Sequence, residues 1–303
     1  MYFSVFSRLN AQGLSRAGKR VRSWVVVCLT LIGVGAVAPA GADAEFIMGV
    51  LPRHTPSETV EMYSPLAAYL SGELGRTVKV ETTADFKSFW TAVAAGRYQL
   101  VHYNQYHYVR SHKEFGYTVI AKNEELNHST MGAAIVVRKD SGFKSLRDLR
   151  GKKVIFGGDR QALMSYIIPT YLLRQAGLNA GDYSEEFAPI PPNVAMAVFF
   201  RRADAGGTGD IVFDVPFVRE KIDVTQMATL AKSEPVAYLP WAVRGDVPAA
   251  ERERIQKLML SVKTSSGGNK ILQAAVLTNF VGAVDQEYDF VRSVIKAVTG
   301  EQY

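Results

Sequence analysis

The chain has 303 residues, 48% of them apolar, a formal net charge of +6 and a single cysteine. The charge is unevenly placed: Arg8, Arg16, Lys19, Arg20 and Arg22 stand in the first 42 residues with no acidic residue among them, which leaves about +1 for the rest. That balance removes the main support for a nucleic-acid partner. Cys28 lies in the same leading segment, so residues 43–303 hold no thiol for a disulfide, a nucleophile or a thiolate metal site.

The basic start is followed by an apolar run from Trp24 to Val37 and then by PAGADA. This is the layout of a secretory signal peptide, with cleavage before Asp43 or Glu45. The apolar run is shorter than the roughly 20 residues of a spanning helix. Val25-Val26-Val27 stand where a lipid-attachment site before Cys28 would need a small residue. Residues 1–42 are therefore expected to be a leader, and the mature chain to be periplasmic.

From there strand and helix alternate. Phe46–Leu51 reads as a strand, and Ser57 or Thr59 can cap a helix that runs to Leu74 and stops at Gly75. Thr77–Thr82 alternates as a strand, Phe86–Ala95 reads as a helix, and Tyr98–Tyr103 is the next strand. Tyr117–Ala121 and Gly132–Val137 are further β-rich runs. Ser145 and Asp148 stand at capping spacing before Gly151, and Lys153–Phe156 is a buried strand. Ala162–Ala176 and Val194–Arg202 read as helices, GGTGD (206–210) as a turn and Ile211–Phe213 as a short strand. Val236–Val243 is extended, and Ala249–Val262 and Asp285–Val298 close the chain as helices.

This alternation implies an α/β fold with parallel sheets covered on both faces. Extended segments near 132–138 and 236–244 suggest two lobes joined by two crossings. Ligands of open α/β sheets sit outside the carboxyl ends of the strands, which selects residues 52–56, 83–86, 103–106 and 157–161.

The segment VHYNQYHYVRSH (101–112) carries three of the five histidines. His107 and His112 would stand about 140° apart on a helix, not on one face as a zinc helix requires. No metal or other cofactor is expected, and these histidines read as solvent-facing or hydrogen-bonded, with His107 and His112 on the outer side of the helix. Tyr103 and Asn104, at a strand-to-helix turn, are candidates for a pocket rim. FGGDRQALMS (156–165) is a second such turn. It lacks the Gly-Lys-Ser/Thr of a phosphate loop and the third glycine of a dinucleotide fingerprint. No Gly-x-Ser-x-Gly elbow is present, and no enzyme activity is expected.

Several of these segments together resemble the phosphate/phosphite/phosphonate-type substrate-binding proteins of ABC transporters. The resemblance is carried by FIMGVLP, YSPLAAYLSGELG, TTADFKSFWTAVAAGRYQLVHYNQYHY, GAAIVVRKDSGFKSLRDLRGKKVIFGG, IIPTYLLRQAGL and EPVAYLPWAVR. It implies a two-lobed type II periplasmic binding protein fold, with lobe one from residues 43–137 and 239–303 and lobe two from 138–238. It implies a cleft in which lobe one offers Arg53, Phe86, Tyr103 and Asn104, and lobe two offers Arg160, Gln161, Thr208 and Asp210. The family's Ser-Thr-Ser-Gly run is replaced here by Ala162-Leu163-Met164-Ser165, and its pocket histidine by Pro191-Pro192-Asn193. A buried phosphonate needs several oriented donors, so the ligand is expected to be a phosphonate-like oxyanion or another small polar solute. The partner would be an ABC transporter permease, served by a monomer. A sensory role toward a histidine kinase or chemoreceptor and a secreted enzyme are the competing readings.

Overall fold

The computed structural model describes residues 45–303; the leader, Cys28 and the segment before Glu45 lie outside the described residues. The first stretch contains β1 (Phe46–Val50), α1 (Pro56–Leu74), β2 (Val78–Glu81), α2 (Phe86–Ala94), β3 (Leu100–His102), α3 (Gln105–Phe115) and β4 (Thr118–Glu124). The middle contains β5 (Thr130–Met131), β6 (Ala133–Arg138), β7 (Lys153–Gly157), α4 (Ile168–Gln175), β8 (Ser184–Ala188), α5 (Pro192–Phe199), β9 (Ala205–Gly209), α6 (Pro216–Lys221) and β10 (Met227–Lys232). Then come β11 (Val236–Ala237), β12 (Pro240–Val243), α7 (Ala249–Ser261), α8 (Gly268–Ala274), β13 (Asn279–Gly282) and α9 (Asp289–Thr299).

The strands form two large sheets, ordered β13-β4-β12-β3-β1-β2 and β10-β6-β9-β7-β8, with β5 and β11 paired antiparallel on their own. Both chain crossings between the sheets pass through that small pair. The sheets are mixed, not parallel as expected. β12 runs antiparallel to β3 and β4, and β6 antiparallel to β9 and β10. The cause is the crossing itself. A strand that enters its sheet from the neighbouring lobe starts at the shared end and runs away from it, while β1, β3, β7 and β9 run toward it.

Residues 133–137, assigned to lobe one on sequence, pair in the second sheet as part of β6, so the sheets divide at β5. GGTGD is not a turn: Ala205–Gly209 is the central strand β9, and the short strand expected at Ile211–Phe213 is one tight helical turn at Val212–Asp214. The glycines are there for packing. A Cβ on Gly207 would stand 2.7 Å from the Ser165 carbonyl and 2.9 Å from Pro169, and one on Gly206 would strike Val194. The helices lie close against a strand stripped of side chains.

Each sheet is covered on both faces. Phe46, Met48 and Leu100 pack with Tyr63, Leu66, Ile255 and Leu272 of α1, α7 and α8. Val101 and Tyr103 face the opposite side, in a cluster with Phe89 and Val109 that also takes in Phe156, Ile167 and the α9 residues Val291 and Ile295. Val136, Ile155 and Val194 fill the outer face of the second sheet. The helix α1 is started by Thr55, not by Ser57 or Thr59. Its hydroxyl accepts from Glu58 N at 3.3 Å while the Glu58 carboxylate accepts from Thr55 N at 2.9 Å. Thr59 is buried instead, at 1% exposure.

Candidate ligand-binding site

A cavity of about 470 Å³ lies between the carboxyl ends of the two sheets and draws on all four strand-end turns singled out above. One wall has Arg53 after β1, Phe86 at the start of α2, His102, Asn104 and Gln105 around the end of β3, and Glu125 after β4. The other has Gly157 and Gly158 at the end of β7, the run Ala162–Ser165, Pro189–Pro192 after β8, and Thr208 near the end of β9. Met62, Met131, Leu163, Met164 and Ile190 make much of the lining apolar.

On the first wall the pleat of β3 decides which side chain meets the cavity. Successive residues face opposite sides of a sheet. Tyr103 points into the core, fully buried, edge-on to Phe89 at 6.1 Å and Tyr117 at 5.7 Å, and does not line the cavity. His102 takes that place. Its ring stacks on Trp241 at 4.7 Å and lies 5.7 Å from Tyr63. Asn123 Nδ2 donates to His102 Nε2 at 3.1 Å and to Glu125 Oε1 at 3.1 Å, while Asn123 Oδ1 accepts from the Trp241 indole N–H at 2.8 Å. Burial, with the Arg53 charge nearby, holds the His102 pKa well below the usual imidazole range.

The helix that follows closes its own start. Asn104 Oδ1 accepts from the backbone N–H of His107 and from the His107 ring Nδ1, both at 2.8 Å. His107 is fully buried and its pKa is pushed down to about 3, by burial first and by Arg110 second. It therefore does not lie on the outer side of the helix as the sequence suggested, because Phe86 and Trp90 of α2 pack over its ring at 5.5 and 5.7 Å. His112 does sit outward, half-exposed, with Nδ1 bonded to the Tyr117 carbonyl at 2.7 Å.

The opposite wall is built differently. Pro169 has no N–H for the Ser165 carbonyl, and the regular helix α4 begins only after a π turn over Leu163–Ile167. Ala162, at its start, has no side chain able to cap it. The backbone N–H groups of Leu163, Met164 and Ser165 are the orphan donors of a helix start, and all three residues line the cavity. Pro191 and Pro192 begin α5 without N–H groups and supply an apolar wall.

Charges at the site are largely paired. Arg53 lies 3.3 Å from Glu125, which also accepts from Tyr238 OH at 2.8 Å. Arg160 turns away from the cavity: it pairs with Glu185 at 2.5 Å and lies over the rings of Tyr166 and Phe187. Gln161 faces the His107 ring across the cleft. Asp210 sits behind the lining, bridged to Lys232 at 2.6 Å, and Thr208 is buried in the lining itself. Of the eight residues proposed from sequence, the structure thus brings Arg53, Phe86, Asn104 and Thr208 to the cavity, and leaves Tyr103, Arg160, Gln161 and Asp210 outside its lining. Sequence reasoning missed His102 and Thr59; the period-two alternation of β3 would have found the first. At the cavity mouth Leu126 and Val276 hold left-handed backbone, at φ 51° and 56°. Among the described residues, no three His, Cys, Asp or Glu side chains converge to hold a metal ion, and no helix is long and apolar enough to cross a membrane.

Two α/β lobes linked by a paired double crossing, with a cavity at the carboxyl ends of both sheets, define the type II periplasmic binding protein fold. Within that class, the chain belongs to the family of phosphonate-type periplasmic substrate-binding proteins of ABC transporters, whose sequence model matches residues 48–288. The fold is similar to PhnD1 from Prochlorococcus marinus in complex with methylphosphonate, with a TM-score of 0.71 at 15% identity, over 85% of this chain and 99% of that one. It is similar to a Xanthomonas citri protein bound to ATP, with a TM-score of 0.72 at 16% identity, over 84% of this chain and 97% of that one. In sequence it is 27% identical over 194 residues to the tetrathionate sensor histidine kinase TtrS of Salmonella typhimurium, covering 61% of this chain and 32% of the kinase. The chain thus matches about a third of that relative's length.

Proposed function

We propose that this protein is a periplasmic solute-binding protein that closes its two lobes around a small acid-bearing solute and presents it to an ABC transporter permease. The observation that carries this reading is the open helix start at Leu163–Ser165, facing a cavity of about 470 Å³ shared by both lobes. Backbone N–H groups at a helix start, with the helix dipole behind them, favour an anionic group. They stand where the hydroxyl run of the family is missing, so backbone donors replace side-chain donors. Thr208 and Ser165 border the same wall, and Arg53, Phe86 and Asn104 close it from the other lobe. The acid would bind there, not at Arg160, whose charge is spent on Glu185. No covalent step is part of this reading: the buried histidines are held neutral inside packing networks, and the acids near the cleft are paired with cations. The rest of it is delivery by a monomer released from its leader.

The test is a thermal-shift panel of methylphosphonate, ethanesulfonate, acetate, phosphate and tetrathionate, with native mass spectrometry of the protein from its own periplasm. An acid that binds only the folded state raises the melting temperature with concentration. No shift with any of the five, and no co-purifying solute, would sink the reading. A sensory role is the second reading, favoured by the match to the kinase. A shift confined to tetrathionate, with capture of a kinase rather than a permease, is its signature.

A further inference from the structure

Two residues of the cleft lining, both on lobe one and each 1% exposed, carry a buried polar atom that the fold leaves unpartnered: Thr59 Oγ1 and His102 Nδ1. Tyr63 links the two. Thr59 lies one turn before Tyr63 on α1, and the Tyr63 ring stands 5.7 Å from the His102 ring.

The state of His102 follows from its neighbours. The Trp241 indole N–H can only donate, so it fixes Asn123 Oδ1 as its acceptor and turns Asn123 Nδ2 toward the histidine. Nε2 must then be the lone-pair nitrogen, and the single proton of the neutral ring sits on Nδ1. Lobe one therefore offers the cavity a fixed N–H donor beside a hydroxyl that both donates and accepts. Leaving such a buried pair unmet is costly.

The one carboxylate among the residues of the lining, Glu125, is already engaged by Arg53 and Tyr238, and Asp210, outside the lining, carries its charge against Lys232. We infer that Thr59 and His102 form a second polar subsite, which takes an uncharged oxygen at the far end of the solute, a hydroxyl or carbonyl, in preference to an amine. This rests on the reading above, in which the acid end binds at the Leu163–Ser165 helix start.

The experiment is calorimetry on the purified protein with two-carbon phosphonates, sulfonates and carboxylates whose far end is a hydrogen, a hydroxyl or an ammonium. Which acid series binds reports on the helix start; the order within that series reports on Thr59 and His102. The hydroxyl member should bind about tenfold tighter than the other two, the effect of satisfying one buried donor. Thr59→Val and His102→Phe should each erase that preference, and Thr59→Ser should keep it. Thr59→Val, nearly isosteric, is decisive if His102→Phe fails to fold. An ammonium preference, or three equal affinities as expected of a bridging water in the subsite, overturns the inference and leaves the acid site standing. So does a hydroxyl preference that survives Thr59→Val. Binding by no member of any series overturns both.

Discussion

Two strand-to-helix turns face each other across the cleft, and they treat the same physical problem in opposite ways. Every helix start leaves backbone donors without partners. At the start of α3 the chain supplies its own acceptor, Asn104, which also holds the buried His107 ring. At Leu163 it supplies none, since Ala162 is a methyl group and the turn is π-wound ahead of Pro169. One turn has an acceptor of its own, which takes the His107 N–H. The other is left unfinished and has something to offer a ligand. In the proposed reading the capped turn is the structural side of the cleft and the uncapped turn the receptive one.

Opening the closed turn should have the largest effect. Asn104→Ala removes a cap and leaves a buried imidazole nitrogen unmet, which should cost about 2–3 kcal/mol of stability; urea unfolding measures it. An unchanged midpoint would show that the turn does not depend on its own acceptor.

His107 sharpens the contrast through pH. Its folded pKa of about 3 lies below the ordinary 6.5, so the unfolded chain takes up the proton first. Stability is complete above pH 6.5 and falls as pH drops toward 3, by about 2 kcal/mol at pH 5 from this group alone. His107→Leu should make that slope shallower between pH 6.5 and 5, leaving the share that the buried His102 contributes in the same direction, whatever it does to stability at pH 7. Paired unfolding curves at several pH values decide the matter.

Closing the open turn comes next. Ala162→Asp places an acceptor and a negative charge over the free donors of Leu163–Ser165. The binding acid of the panel should lose at least about tenfold in affinity, or ~1.4 kcal/mol, while the melting temperature holds or rises. Retained affinity in calorimetry would place the acid elsewhere.

The smallest effect is expected at the mouth. Val276 is a β-branched residue at φ 56°, just past the end of α8, 69% exposed. Val276→Gly relieves that backbone and should add about 1 kcal/mol of stability. A few-fold loss of solute affinity alongside it would tie the strained apolar residue to the cleft.

The sequence made the α/β alternation, the two lobes and the strand-end position of the cleft legible, because hydrophobic period and glycine stops report directly on element type. It was less informative wherever packing between elements decided. GGTGD looks like a turn because glycines suit turns, yet here they permit helices to approach β9. SEEFA reads as polar because β8 is an edge strand with mostly solvent-facing residues. At the site, Asn104 is legible from its place at a helix start and Phe86 from the family resemblance, whereas the sequence favours Tyr103, which the strand's alternation turns to the face opposite His102. Arg160 stands out by its charge, but its partner Glu185 lies 25 residues away, a pairing that no local pattern reveals.

The small β5–β11 ladder also has a mechanical side. Both crossings of the chain share its two residue pairs, so a turn of one lobe against the other would twist it as a torsion bar. Gln105, in the first turn of α3 and in the cavity lining, donates from its amide to the carbonyl of Ala237 in that ladder at 3.0 Å. A linkage one side chain long thus connects the cavity wall to the pivot. A solute that presses on Gln105 would load the bar directly, with no signal having to travel through the body of either lobe.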